Sequence, residues 1–178
     1  MNTYIVFLRG INVSGQKTLK MVALKQALEE EGFVKVQTYI QSGNLVLRSS
    51  GTSKQVSKQI SALIFDKFAY KVPALVTTAA AIKAILSINP FKTVGEPKKL
   101  FFTLLFLTPA QTAAETFNAL QFKTESFYLT ENCVYLYCKV GAGKAKLNNN
   151  LIEQKLCVTA TTRNLRTLEK MIALADAL

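Results

Sequence analysis

Short apolar runs of strand length alternate with helical apolar stripes along the chain, and the order of these segments is the strongest constraint on the fold. In the first half, a buried run at residues 3–9 precedes a glycine-rich turn and the helically spaced Met21, Leu24 and Leu28. Strand-like runs at 34–40 and 45–47 follow, then an apolar helical stripe at 56–68 that Ser53 can cap, then an extended run at 72–77. This β-α-β-β-α-β order is that of a ferredoxin-like unit.

A second cycle follows a short helix near residues 79–86 and a breaker-rich link at 89–99. The sequence predicts a strand at 100–107, a helix at 109–120, hairpin strands at 126–129 and 133–140, a capping box from Asn150 to Glu153, and a last helix whose apolar face begins at Leu165. A helix is expected where the final strand would stand. We therefore predict an α+β protein of two ferredoxin-like, pseudo-duplicated halves, 1–90 and 91–178, with extra C-terminal helices, arranged as two halves or as one compact domain.

Composition excludes several kinds of site. The chain has 178 residues, of which 49% are hydrophobic, so it can bury a core without disulfides or metals. Its cysteines are Cys133, Cys138 and Cys157, and it contains no histidine, which excludes Cys/His zinc sites and Ser–His or Cys–His catalytic pairs. We expect free thiols, no metal, no cofactor and no membrane association. The lack of a leader-like N-terminus predicts a cytoplasmic location.

The net charge of +11, from 22 basic and 11 acidic residues, favours anionic partners. Residues 1–90 carry 11 basic and 4 acidic groups, whereas residues 91–178 carry 11 and 7. Neither half is a charged tail, so the excess belongs to folded surface.

The turn at residues 9–20 is the first candidate site. Residues 10–18 approach the phosphate-binding pattern GxxxxGK[ST] between a strand and a helix, but Gln16 separates Gly15 from Lys17. No predicted strand ends in a carboxylate that could hold magnesium, so we exclude a nucleoside triphosphatase. Arg9, Lys17 and Lys20 near a helix N-terminus can still hold an anion. The alternative is that the glycines only permit the turn and the lysines are solvated.

Two further polar clusters follow. Gln41, Ser42 and Asn44 could orient a ligand by hydrogen bonding, or they could simply build a turn. The second cluster runs through Lys139, Lys144, Lys146, Asn149, Arg163, Asn164 and Arg166. Within it, Thr161, Thr162 and Asn164 precede a helical face, and we interpret them as helix-capping residues.

Segments 8–15 (LRGINVSG), 38–44 (TYIQSGN) and 160–167 (ATTRNLRT), with 144–149 and 152–153, resemble the bacterial Domain of Unknown Function 1697 family over nearly the whole chain. The resemblance implies a stand-alone α+β fold with ferredoxin-like halves, but no activity. Ser14 stands where the family commonly has glycine, and Leu165 where it commonly has tryptophan. The motif positions that the resemblance implies are Arg9, Gly10, Asn12, Gly15, Ser42, Gly43, Asn44, Lys146, Asn149, Arg163 and Asn164.

These observations favour a binding module for an anionic ligand, either a nucleic acid or a phosphate-bearing small molecule, at the glycine-rich turn. The alternative is a metal-independent enzyme that acts on a small phosphorylated or carboxylated metabolite through a lysine such as Lys17 or Lys146. A third possibility is an interaction or dimerisation module, for which an exposed sheet edge would be the cue. The sequence leaves the oligomeric state open. The expected ligand-binding residues, with Lys146 and Arg163 converging on the turn, are Arg9, Gly10, Asn12, Gly15, Lys17, Lys20, Gln41, Ser42, Asn44, Lys146, Asn149, Arg163 and Asn164.

Overall fold

The chain is an α+β protein with two four-stranded antiparallel sheets. The computed structural model describes residues 1–13, 15, 17–93 and 96–178, and over these residues it contains eight β-strands and six α-helices. The described residues form two compact units, Met1–Ala84 with Glu169–Leu178, and Ile85–Leu168. Each unit contains one of the sheets.

The first unit follows a β-α-β-β-α-β order. Its elements are β1 (Asn2–Leu8), α1 (Met21–Glu30), β2 (Val34–Tyr39), β3 (Asn44–Ser49), α2 (Ser53–Phe68) and β4 (Ala74–Thr77), after which α3 (Ala79–Ser87) begins. The strand order β2-β3-β1-β4 gives β1 a neighbour on each side. Residues 4–8 of β1 are all buried, as an unbroken apolar run of strand length predicts.

Both α1 and α2 pack on the same face of this sheet. Alternate side chains of β1 share a core with the buried stripes of the two helices, in keeping with the two-residue period of a strand and the 3.6-residue period of a helix. The members of this core that carry the contact are Tyr4, Val6, Leu8, Leu24, Leu28, Ile60 and Ile64. On the other face, Ile5, Phe7 and Val46 are also fully buried. In the described part of the chain, no helix combines the length and the apolarity needed to cross a membrane.

The N-terminus of α2 is capped one residue earlier than the sequence predicts. Thr52 occupies the N-cap, where its hydroxyl accepts the N–H of Gln55 at 3.3 Å, and the Gln55 side chain accepts the Thr52 N–H at 2.8 Å. This reciprocal pair is a capping box. The expected cap, Ser53, is the first helical residue instead. Because Thr and Ser are both good caps, only the backbone conformation of Thr52 decides between them.

The second unit repeats the β-α-β-β-α-β order. Its elements are β5 (Leu100–Leu105), α4 (Gln111–Asn118), β6 (Glu125–Leu129), β7 (Cys133–Cys138), α5 (Asn149–Leu156) and β8 (Ala160–Asn164). Directly after β8 comes α6 (Leu165–Asp176), whose residues from Glu169 onward belong to the first unit. The strand order β6-β7-β5-β8 gives these strands the same relative positions as β2-β3-β1-β4. Its core lies under α4 and α5, where the rings of Phe117 and Phe127 meet edge to face at 4.9 Å.

The prediction that a helix replaces the final strand of the second half is wrong. Residues 160–164 form β8, which pairs with β5 from Leu105↔Ala160 to Phe101↔Asn164. Thr161 and Thr162 are therefore strand residues and not helix caps. The strand was not recognised in the sequence because its residues are polar. They are nevertheless inside the fold: Thr161 is only 2% exposed, and the hydroxyl of Thr162 lies 2.8 Å from that of Thr103 on β5. The two C-terminal helices expected from about residue 150 and from Leu165 are present as α5 and α6, with β8 between them.

Two capping predictions near the C-terminus have different outcomes. Asn164 does cap α6, since its side-chain oxygen accepts the N–H of Thr167 at 2.8 Å. The box from Asn150 to Glu153 does not form, because Asn148 is the N-cap of α5 and accepts the N–H of Leu151 at 3.0 Å. Glu153 accepts the N–H of Ala160 instead. Residues 148–150 are all asparagine, so the sequence offers no local basis for choosing the cap.

Thr52→Ala should lower the free energy of unfolding by about 1 kcal/mol, the usual contribution of an N-cap hydroxyl. Ser53→Ala is the matched control, and it should change the stability by no more than a few tenths of a kcal/mol because alanine suits the first helical position. Urea denaturation followed by circular dichroism measures both. Equal losses in the two variants would contradict the assignment of Thr52 as the cap.

Candidate functional site

Left-handed backbone conformations recur along the turn between β1 and α1. Gly10, Asn12, Gly15 and Lys17 have φ angles of 70°, 53°, 74° and 46°. Glycine adopts such angles freely and asparagine tolerates them, but for lysine they are uncommon and must be held by the surroundings. Two hydrogen bonds hold Lys17: its carbonyl accepts the Asn12 N–H at 3.2 Å, and its ammonium donates to the carbonyl of Lys71 at 2.7 Å. Two residues singled out in the sequence lie outside the described residues: Ser14, which stands where the family commonly has glycine, and Gln16, which interrupts the phosphate-binding pattern.

The side chain of Asn12 links the end of the turn to the β2–β3 hairpin. Its amide nitrogen donates to the carbonyls of Leu19 at 2.9 Å and Gln41 at 2.6 Å, and its oxygen accepts the N–H of Leu19 at 2.7 Å. Both amide hydrogens are therefore engaged in holding backbone. Asn12 therefore joins the segment just before α1 to the β2–β3 hairpin, and its predicted contact with a ligand stays a prediction.

The β2–β3 hairpin lies directly beside the turn. The N–H of Leu8 donates to the carbonyl of Gly43 at 2.8 Å, and a Cβ at Gly43 would stand 2.7 Å from the Cβ of Leu8 and 2.9 Å from Cδ1 of Ile11. Asn44 is fully buried, and its amide donates to the carbonyl of Tyr39 and the hydroxyl of Ser42. Gly43 and Asn44 thus close the hairpin against the turn, while Gln41 contributes its carbonyl to Asn12.

Lys20 is the positive residue of the turn that stands at the start of α1, while the ammonium of Lys17 lies against Lys71 in the segment before β4. Lys20 is the exposed N-cap residue of α1, and none of the described residues caps this helix with a side chain. Residues 21–24 include no acidic side chain. Within the described parts of the chain, Lys17, Lys20 and Lys71 form no ion pair. Arg9 is partly exposed, and its N–H donates to Pro73, two residues from Lys71.

The polar residues of the second unit have mainly internal partners. Asn149 donates to the carbonyl of Ala160 at 3.1 Å and accepts the hydroxyl hydrogen of Thr162 at 2.9 Å, so it ties the start of α5 to β8. Asn164 is occupied as the cap of α6. Lys146 is exposed, with its backbone N–H bound to the carboxylate of Glu125.

Arg163 lies on the face of the second sheet opposite to Asn149. Asn149 contacts Thr162, and consecutive strand residues point to opposite faces, so the guanidinium of Arg163 lies away from the helices. Its Nη1 donates to the hydroxyl of Thr161 and the carbonyl of Thr162, both at 2.8 Å. Desolvation of the guanidinium lowers the pKa of Arg163 to about 10, which leaves it charged at neutral pH. The expected convergence of Arg163 and Lys146 on the β1–α1 turn stays a prediction.

Glu125 is a structural residue that the sequence reasoning missed. Burial raises the pKa of its carboxyl, but hydrogen bonds from the Lys146 N–H, the Thr124 hydroxyl and the Leu147 N–H outweigh this effect, so the pKa lies below its ordinary value. The carboxylate therefore holds the segment before α5 in place. Its signal in the sequence was weak, because one glutamate at the start of a strand usually faces solvent.

The thiols of β7 are unsuited to nucleophilic chemistry. Cys133 and Cys138 are free and buried, whereas Cys157 is free and exposed. Burial raises the pKa of Cys133, and burial with the nearby charge of Glu125 raises the pKa of Cys138 to about 11. Among the described residues, no group of three His, Cys, Asp or Glu side chains could hold a metal ion.

Gly43→Ala should destabilise the protein more than Gly32→Ala. Both glycines have positive φ angles, 74° and 94°, so each substitution carries about 1–2 kcal/mol of backbone strain. Only Gly43 is also crowded, since no atom lies within 4 Å of a Cβ at Gly32, and the crowding should add about 1–3 kcal/mol. Thermal or chemical denaturation of the two variants gives the difference, and equal losses would show that the hairpin is not tightly closed against the turn.

Glu125→Gln should lower the free energy of unfolding at pH 7 by about 1 kcal/mol, because a charged acceptor of backbone N–H groups is lost. A carboxyl whose pKa is lowered in the folded state stabilises the fold above its unfolded pKa and loses this effect as the pH falls through the folded value. The gap between wild type and variant should therefore close below about pH 4. Denaturation curves measured from pH 7 to about pH 3 test this.

Glu131→Gln provides the control for this experiment, since Glu131 is exposed in the β6–β7 turn and forms no ion pair with a described residue. Its effect on stability should be small at every pH. A pH-independent gap for Glu125→Gln would contradict the role given to the carboxylate.

Known proteins include one solved structure with a similar fold and one family whose model matches this chain. No curated protein matches the chain. The solved structure described as "The structure of conserved bacterial protein SP0830 from Streptococcus pneumoniae" is similar to this chain with a TM-score of 0.69 and 20% sequence identity, over 97% of this chain and 98% of that one. At this identity the likeness concerns the fold alone.

A family model described as "Protein of unknown function (DUF1697)" matches residues 1–135, more than half of the chain. The match includes the β1–α1 turn and the β2–β3 hairpin, while Lys146, Asn149, Arg163 and Asn164 lie beyond it. The resemblance noted in the sequence is thereby confirmed: this chain belongs to the DUF1697 family of proteins of unknown function.

Proposed function

We propose that this protein is a binding module for an anionic ligand, a nucleic acid or a phosphate-bearing small molecule, and that the ligand binds at the β1–α1 turn. The observation that carries the proposal is Lys20 at the N-cap of α1, with Lys17 three residues before it, where no described side chain caps the helix and no acidic residue stands in the first turn. Free N–H groups and the helix dipole favour negative charge at this position.

The frame of the turn supports this proposal. The backbone of the turn is positioned by the hydrogen bonds of Asn12 and Asn44 and by the close approach at Gly43. The turn therefore has its shape before a ligand binds. Preorganisation of this kind reduces the entropy lost on binding. Direct contact with the anion is therefore assigned to Lys17, Lys20 and the backbone of the turn, with Arg9 adding positive charge nearby.

The position of Lys17 supports binding. The ammonium of Lys17 donates a hydrogen bond to the carbonyl of Lys71 at 2.7 Å, which holds its charge in place beside the turn. Among the described residues, the hydrogen-bond partners of Lys17 are backbone groups, so the enzymatic alternative gains no specific support from them.

We also propose that the two units are ferredoxin-like and pseudo-duplicated. The support is the repeated β-α-β-β-α-β order, together with the matching strand orders β2-β3-β1-β4 and β6-β7-β5-β8. In this proposal the β1–α1 turn corresponds to the segment between β5 and α4. That segment has no lysine or glycine between residues 106 and 110, so the basic turn is specific to the first unit.

The test is a binding assay with the double variant Lys17→Ala/Lys20→Ala. Fluorescence anisotropy with labelled single-stranded RNA, duplex DNA and a nucleoside triphosphate at low salt should show binding by at least one probe. The double variant should weaken that binding by about tenfold or more, and for a nucleic acid it should reduce the slope of log K against log salt by about 2.

The matched control is Lys54→Ala/Lys58→Ala, which removes the same charge from exposed positions on α2. It should retain most of the affinity. Equal losses in the two double variants would show non-specific attraction to a basic surface, and a lack of binding to every probe at low salt would refute the proposal.

A further inference from the structure

Strand β6 forms a free edge of the second sheet. It is the first strand in the order β6-β7-β5-β8, and over the described residues it pairs only with β7. An open groove of about 450 Å³ runs beside it, lined by residues 125–128, by Asn118 at the end of α4, and by Leu120 and Phe122 in the segment that follows. The edge is therefore accessible from solvent.

The backbone groups that point outward from this edge can be identified. At the two ends of the β6–β7 ladder, Lys139 donates to the carbonyl of Thr124 and Thr130 donates to the carbonyl of Cys133. In an antiparallel pair, residues with inward-facing hydrogen bonds alternate with residues whose groups face away. Thr124 and Thr130 face β7, so the N–H and C=O groups of Glu125, Phe127 and Leu129 point away from it.

The other three sheet edges carry protective features that β6 lacks. Exposed edges are usually protected by bulges, charged side chains, inward-pointing charges or short length. β2 has a register shift at Lys35, whose φ is 57°; β4 is four residues long; β8 carries the charge of Arg163, whose guanidinium folds back onto Thr161 and Thr162 of the same strand. β6 keeps a regular register over five residues, and its one charged side chain, Glu125, is bound internally to the N–H of Lys146.

We propose that β6 pairs with β6 of a second copy of this chain, in an antiparallel arrangement about a two-fold axis at Phe127. In this register Phe127 stands opposite its own copy and Glu125 stands opposite Leu129, so the outward groups of all three residues bond across the interface. The two sheets become one eight-stranded sheet. The contact is isologous, as the commonest dimers are.

Charge selects this register over its neighbours. A centre at Phe127 places Lys123 of each copy opposite Glu131 of the other, and both residues are exposed and form no ion pair with a described residue. A centre at Tyr128 would place Glu131 opposite Glu125, and a centre at Ser126 would place it opposite Gln121, so neither register keeps the attractive pair. The chosen register also sets Tyr128, which is 51% exposed, opposite the small Ser126.

The first measurement is sedimentation velocity on nucleic-acid-free protein, from low-micromolar concentrations to the solubility limit. A strand-edge contact is small, so we expect reversible dimers at the higher concentrations. Lys123→Glu and Glu131→Lys each turn two attractive pairs into two repulsive ones and should each weaken self-association by roughly tenfold. Lys155→Glu, at an exposed position on α5, makes the same charge change as Lys123→Glu and should leave it unchanged.

Mixing the two single variants tests the register itself. In a heterodimer of Lys123→Glu with Glu131→Lys, both cross-strand pairs are opposite in sign again, so native mass spectrometry should show heterodimers in preference to either homodimer. The double variant Lys123→Glu/Glu131→Lys should regain wild-type association. A wild type that stays monomeric up to its solubility limit, or single variants that associate as strongly as wild type, would overturn the proposal.

Discussion

The arrangement around the β1–α1 turn depends on the hydrogen bonds made by the side-chain amide of Asn12. Its three hydrogen bonds fix the turn to Leu19, just before α1, and to Gln41 in the β2–β3 hairpin. A turn with four left-handed residues would otherwise have many accessible conformations, and each of them would place Lys17 and Lys20 differently. The hydrogen bonds of Asn12 and the closed hairpin at Gly43 restrict that freedom, so the backbone of the turn has a defined path to Lys20 at the start of α1.

In the second unit, too, polar side chains hold backbone segments in place by hydrogen bonds. Asn149 joins the start of α5 to β8 through the hydroxyl of Thr162, and the carboxylate of Glu125 holds the segment before α5 through the N–H of Lys146. Such buried polar contacts stabilise a unique arrangement because an unsatisfied partner would be costly. Several positions singled out by the family resemblance therefore serve the frame of the fold.

Sequence periodicity predicted most of the elements, and it failed where polar residues occupied buried positions. β1, α1, α2 and the β6–β7 hairpin were found because their apolar residues repeat with the period of a strand or a helix. β8 was missed because Thr161 and Thr162 read as helix caps, and their burial follows only from pairing with β5. For the candidate site, the basic and glycine-rich character of the turn was evident. That Asn12 and Asn44 are committed to backbone carbonyls could not be known, because their partners come from elsewhere in the chain.

The sequence by itself was enough to predict the α+β composition, the first β-α-β-β-α-β cycle, the basic turn and the family. Each of these can be recognised from the spacing of neighbouring residues or from contiguous motifs. Tertiary structure decided which polar residues face inward, that the chain ends its second cycle with a strand, and that the last turns of α6 belong to the first unit. The physical reason is that burial and hydrogen-bond partners are set by segments distant in sequence. An asparagine has the same local signature whether it caps a helix, closes a hairpin or contacts a ligand, and only the packed chain distinguishes these roles.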